Sequence, residues 1–229
     1  MMMEEHSGMM MEEMGPMLFG MPLVNALMIA SGIFYFICAA IIWKPYKQEK
    51  NDLMGALLAF LIYQAFAMIL MGIGMQTHNM LYDNLGSLAV FVGSVYMLKF
   101  PFTVFPEKTR KIFFYLAMIA ALVLFGWFMM TPEREMMLMK FILWYDLIVN
   151  GIVVGFFIFF FGLKANERAV KVKAMGGGVG VATCCIAANA AMIMGAMIVS
   201  SVFQFLAPII IIFSIVTGRK LQKRAGSPS

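Results

Sequence analysis

The sequence predicts an all-α protein, a polytopic seven-transmembrane helical bundle with its N-terminus outside and its C-terminus cytoplasmic. Three observations predict it. Of 229 residues, 62% are apolar and only 13% charged, about half the charged share of a soluble domain, and the mean hydropathy is +0.88. Seven apolar runs each approach the roughly 20 residues that carry a helix across a bilayer. The basic residues alternate between the two ends of those runs in a strongly biased way.

In chain order, residues 1–16 form an acidic, Met-rich tail containing His6, without the basic opening of a secretory signal. It reads as extracytoplasmic. Residues 17–217 form the seven-span domain, and residues 218–229 a basic cytoplasmic tail. Span one, 17–43, leads into Lys44, Lys47 and Lys50. Span two, 53–75, is apolar except for Tyr63 and Gln64 near its centre. Span three, 85–105, encloses Lys99, whose ammonium must reach back to the headgroups, and Pro101, which stops the helix early. Span four, 112–130, is purely apolar. Span five, 137–162, carries a carboxylate, Asp146. Span six, 174–195, opens on Gly176–Gly178 and Gly180, which allow close helix packing. Span seven, 199–217, contains Pro208, which predicts a kink and a freed carbonyl bonded by a neighbour.

All basic residues except Arg134 and Lys140 then fall on one side: three after span one, four closing span three, four after span five and four after span seven. Lysine and arginine concentrate in cytoplasmic loops. The net charge of +5 therefore reports orientation in a membrane, predicted to be a prokaryotic cytoplasmic membrane, and no nucleic-acid surface. Cys38, Cys184 and Cys185 lie within spans, lack zinc-site spacing and read as small apolar fillers.

Several chemistries are excluded. Paired haem ligands are missing, because the two histidines, His6 and His78, sit in the tail and an outer loop. The last span holds no lysine for a retinal Schiff base. A lone Asp146 cannot make a protease dyad or zinc centre. Gly176–Gly178 lack the Lys-Ser/Thr that completes a phosphate loop. The expectation is a protein that is not an enzyme.

The first constellation with chemical content is polar. Asp146 lies about 13 Å down span five, near mid-depth. An ionised group there costs a few kcal/mol, so it should face the protein interior and a polar partner. Asn150 is one turn below it on the same face. Gly151 and Gly155 would let another helix approach. Asn25, Tyr63, Gln64, Asn189 and Gln204 reach overlapping depths on four other spans. Together these residues read as an outward-opening pocket for a small ligand or cation, as an ion path, or as interhelical glue worth about 0.6 kcal/mol per bond.

The second constellation is sulfur. Of 26 methionines, all but Met54, Met97, Met118 and Met175 fall in the outer tail, outer loops or outer parts of spans. Met68, Met71 and Met75 share one helical face. Thioethers with histidine are soft ligands suited to Cu(I), which makes His6, Met9, Met10, Met11, Met68, Met71, Met75 and His78 the candidate metal ligands. Met is also a flexible packing residue. The tail EHSGMMMEEMGPM resembles the Met/His-rich copper-binding tails of bacterial copper-handling proteins.

The segment FVGSVYMLKFPFTVFPEKTRK, closing span three, and LKANERAVKVKAMGGGVG, leading into span six, sit in a layout that resembles the seven-helix sensor region at the N-terminus of some membrane histidine kinases. The likeness covers most of the chain in topology and loop texture. It implies a ligand taken from outside or within the membrane and a helix movement passed inward. After Thr217 only GRKLQKRAGSPS follows, so the implied output is a separate signalling partner on the basic loops. Three-plus-one-plus-three sugar transporters share the layout, but Pro22 and Pro101 have no counterparts in spans five to seven. The expected function is a receptor-like sensor with its pocket around Asp146. The alternatives are a Cu(I)-handling membrane protein and a structural subunit that packs against partner helices or its own copies.

Overall fold

The computed structural model describes residues 16–18, 20–50, 52–130 and 136–225, without the side chains of 48–49, 136–143 and 223–225. The tail ligands His6, Met9, Met10 and Met11 lie outside the described residues. Two short strands, β1 (Met17–Leu18) and β2 (Met21–Pro22), precede helices α1 (Leu23–Glu49), α2 (Asp52–Thr77), α3 (Met80–Met97), α4 (Glu107–Met130), α5 (Met136–Gly155), α6 (Arg168–Val181), α7 (Ala188–Ile193) and α8 (Met197–Ala225). A 3-10 turn, Pro101–Val104, follows α3. π-Helical segments extend α5 (Phe156–Leu163) and join α6 to α7 (Ala182–Ala187). Seven helical runs among the described residues are long and apolar enough to cross a membrane.

The first span is shorter than its apolar composition suggests. Residues 17–22 form a hairpin, Met17 opposite Pro22 and Leu18 opposite Met21, turned at Gly20 with φ of +77°. Only glycine enters that region without cost, so the turn overrides the apolar run, and the helix starts after Pro22. At the third span the regular helix ends at Met97, before Pro101. The ammonium of Lys99 lies over the Phe114 ring, 4.8 Å from its centroid, where a cation meets the negative ring face.

Contacts close a ring in the order α1, α2, α3, α5, α6, α8 and back to α1, with α4 packed outside against α3. On α4 only Ala121 and Phe128 are buried, while Ile112, Val123 and Met130 are exposed; this helix offers its apolar sides to lipid. Glycines set the closest approaches. A Cβ on Gly32 would stand 2.8 Å from the Ala65 carbonyl of α2, and one on Gly178 2.9 Å from Ile158 Cγ1. Gly176 and Gly180 abut Ser214 and Ile211 of α8, as their spacing predicts. Gly151 and Gly155 do not behave this way, for nothing lies within 4 Å of a Cβ on either. At about 100° per residue they sit roughly 140° and 180° around the helix from Asp146, so turning the carboxylate inward turns both glycines out.

Prolines stitch the ring shut. Pro208 within α8 has no N–H for the Gln204 carbonyl four residues earlier, and Ser31 Oγ of α1 donates to that oxygen at 2.7 Å. Pro45 within α1 likewise frees the Ile41 carbonyl, which accepts from Arg219 of α8 at 3.1 Å. Between them Cys38 Sγ donates to the Pro208 carbonyl at 3.2 Å. Helix α8 runs unbroken through Pro208, its lost bond replaced from the neighbouring span as membrane helices require.

Candidate functional site

Helix α5 places Asp146 and Asn150 on its inner face because they are four residues apart; Trp144, Ile148 and Ile152 occupy the outer face and are exposed. Asp146 is 7% exposed and Asn150 fully buried. Asp146 Oδ1 accepts from Ser94 Oγ of α3 at 2.7 Å and from Asn150 Nδ2 at 2.7 Å. Its Oδ2 accepts from Asn189 Nδ2 of α7 at 2.6 Å. Asn150 Nδ2 also reaches the Asp146 carbonyl at 2.9 Å. Three neutral donors from three helices thus converge on a group that accepts without donating when ionised. Hydrogen bonds to a charged group contribute about 1.5–3 kcal/mol each, set against the few kcal/mol that a charge at mid-bilayer depth costs.

Above the carboxylate lies a cavity of about 110 Å³. Its walls come from all seven spans and include Met28 of α1, Gln64, Met68, Met71 and Met75 of α2, Phe91 of α3, Phe128 of α4, Cys184, Asn189 and Met192 of the sixth span, and Met197, Ser200, Ser201 and Gln204 of α8. These residues lie near the start of α1, the end of α2 and the start of α8, so the cavity occupies the end of the bundle opposite the lysine-rich turns. Six of the lining residues are methionines.

The polar wall groups are sorted by role. Gln204 Nε2 donates to the Cys184 carbonyl at 2.8 Å, fixing the π-helical segment against α8. Ser87 and Ser201 hydroxyls donate to carbonyls of their own helices. By contrast Gln204 Oε1 is buried without a hydrogen-bond partner, as is Asn150 Oδ1 beside the carboxylate. Leaving such an acceptor unpaired costs about 1–3 kcal/mol. A carboxylate, thioethers and two aromatic rings line this cavity beside Gln64 and Ser200, whose amide and hydroxyl can each donate or accept.

Below it the passage is closed. Tyr35, Cys38, Val181 and Cys185 are each no more than 2% exposed, with Cys184 Sγ 3.2 Å from Cys185 Sγ. A second cavity, of about 480 Å³, lies beyond this layer, walled by Leu57, Phe100, Phe157 and Phe161, with Lys173 and Arg219 among its lining.

Comparison with family models, curated proteins and solved structures finds no match to this chain. The site rests on its own geometry.

Of the residues singled out in the sequence, Asp146, Asn150 and Asn189 form one hydrogen-bonded cluster, and Gln64 and Gln204 line the cavity over it. Asn25 is elsewhere, donating to Gln76 Oε1 at 3.2 Å. Tyr63 stacks on Tyr96 with ring centroids 5.7 Å apart, outside the cavity wall. Met68, Met71 and Met75 all line the cavity; His78, exposed with φ of +52°, does not. Among the described residues no group of three or more His, Cys, Asp or Glu is placed to hold a metal ion, so any metal there would depend on thioethers. Ser94 is the residue that sequence reasoning missed. Its one signal was depth, since it lies about three turns from the inner edge of span three, level with Asp146 on span five.

Proposed function

We propose that this is a receptor-like membrane protein, not an enzyme, that takes a small cationic ligand into the outward-facing cavity above Asp146 and passes the binding event inward through α8. The observation that carries the reading is the carboxylate held by Ser94, Asn150 and Asn189 at the floor of the cavity. A buried carboxylate at the floor of such a cavity favours a cation or a strong donor. Closure below the cavity by Tyr35, Cys38, Val181 and Cys185 favours a blind pocket over an ion path. Gln204 connects the pocket to the helix lock, because its side chain lines the cavity while its carbonyl accepts from Ser31. At the opposite end Lys44, Lys47, Lys108, Lys111, Lys164, Arg168 and Lys220 are exposed and offer a basic face to an acidic cytoplasmic partner. The resemblance to kinase-linked seven-helix sensor regions agrees with this division of labour.

Thermal unfolding of the detergent-purified protein, with and without sodium, tetramethylammonium, tetraethylammonium and Cu(I) under reducing conditions, tests the reading. A ligand at 100 times its Kd stabilises by about 2.7 kcal/mol. At least one cation should raise the melting temperature of the wild type, and Asp146→Asn should abolish the rise. Should Asp146→Asn fail to fold, Met28→Trp, which fills the cavity and leaves the carboxylate's donors in place, must abolish the rise instead. Stabilisation that survives in both variants, or that no cation produces, removes the proposal.

A further inference from the structure

The cavity's methionines say more than that its ligand is positive. A methionine used as filler closes space; here six of them border space that is left open. Met68, Met71 and Met75 present three thioethers along one face of α2, Met28 faces them from α1, and Met192 and Met197 come from the sixth span and the start of α8. Methionines therefore line one cavity from four spans.

Resting on the cation reading above, we infer that the ligand of this cavity is a soft monovalent metal ion of the Cu(I) class, coordinated by thioethers led by Met68, Met71 and Met75, with Asp146 as its counter-charge. Zinc calls for thiolate, imidazole or carboxylate ligands, and among the described residues no group of three or more His, Cys, Asp or Glu is placed to hold a metal ion. Thioethers are neutral and select Cu(I), so a thioether-bound ion keeps its full positive charge. That charge needs an anion nearby in a low-dielectric interior. Asp146 meets the need as a nearby counter-charge, its Oδ1 held by Ser94 and Asn150 and its Oδ2 by Asn189. Gln204, whose Oε1 is buried without a hydrogen-bond partner, lines the same cavity.

The test is competition for Cu(I), kept reduced with ascorbate, between the full chain and the chromophoric chelator bathocuproine disulfonate. Because the tail carries His6, Met9, Met10 and Met11, the assay includes a tail variant with His6→Ala and all three methionines changed to Leu. It also includes the cavity variant Met68→Leu/Met71→Leu/Met75→Leu, a volume-conserving change. Wild type and tail variant should each take one Cu(I) from the chelator, and the cavity variant should bind at least 100-fold more weakly. X-ray absorption of the copper-loaded tail variant should show a sulfur-only shell. A shell of nitrogen or oxygen overturns the inference whether or not the triple variant folds. So does Cu(I) binding that is lost with the tail and unchanged in the cavity variant. If Cu(I) is not bound but an organic cation stabilises the wild type and not Asp146→Asn, the metal assignment falls and the cation reading stands; if neither binds, both fall.

Discussion

At the carboxylate of Asp146 each hydrogen-bond donor replaces hydration that the bilayer interior withholds. Removing one donor should therefore cost more than the same change at a serine bonded only within its own helix. Ser94→Ala leaves Oδ1 with Asn150 alone and should lower stability by about 1–3 kcal/mol, read as a fall in the thermal midpoint of the purified protein. Ser87→Ala, whose hydroxyl serves only its own helix at the Asp83 carbonyl, should change the midpoint by less than half as much. The pairing of Asp146 with Asn150 was legible in the sequence because residues four apart on a helix share a face. Ser94 was not, because a single serine looks alike whether it bonds its own backbone, as Ser201 does, or a carboxylate on another span. Tyr63 matches Gln64 in depth and fails in azimuth, which sequence position leaves open until the helices are packed; Asn25 fails in depth, because α1 starts only at Leu23 and leaves it in the first turn beside Gln76.

At the scale of elements, the glycines divide into those that permit contact and those that face outward. Gly32→Ala would place a methyl carbon against the Ala65 carbonyl, and backbone cannot swing aside as a side chain can. Overpacking of this kind costs about 1–3 kcal/mol. Gly151→Ala adds its methyl to open space and gains helix propensity, about 0.5–1 kcal/mol of stabilisation. Thermal melts of the two variants should shift in opposite directions; a fall for Gly151→Ala would mean that this face packs against another chain. Span number and most boundaries were readable because a 20-residue apolar run has few alternatives in lipid. The hairpin at 17–22 was not, since Met17 and Leu18 suit a helix and only Gly20's backbone angle decides otherwise. Nor were the π-helical segments visible. They change hydrogen-bond register without demanding a residue type; one, Ala182–Ala187, adjoins the candidate cavity through Cys184, and the other, Phe156–Leu163, lines the second cavity.

For the whole molecule, the predicted orientation has a direct check. The three native cysteines are buried, so a cysteine introduced at an exposed position gives the only strong reaction with a membrane-impermeant maleimide. In intact cells His78→Cys should be labelled and Lys108→Cys should not until the membrane is opened; the reverse pattern would turn the cavity toward the cytosol. The ring of spans carries a mechanical consequence as well. Its first and last members are fastened by Ser31 and Arg219 through carbonyls that two prolines set free, and by Cys38 at the Pro208 carbonyl. Pulled from a bilayer by its C-terminus in a force spectrometer, the chain cannot peel off one helix at a time from a loose edge. The opening rupture must break that three-point seam, and it should be the highest force peak of the trace, dropping to the level of the later peaks when Ser31 and Arg219 are both replaced by alanine.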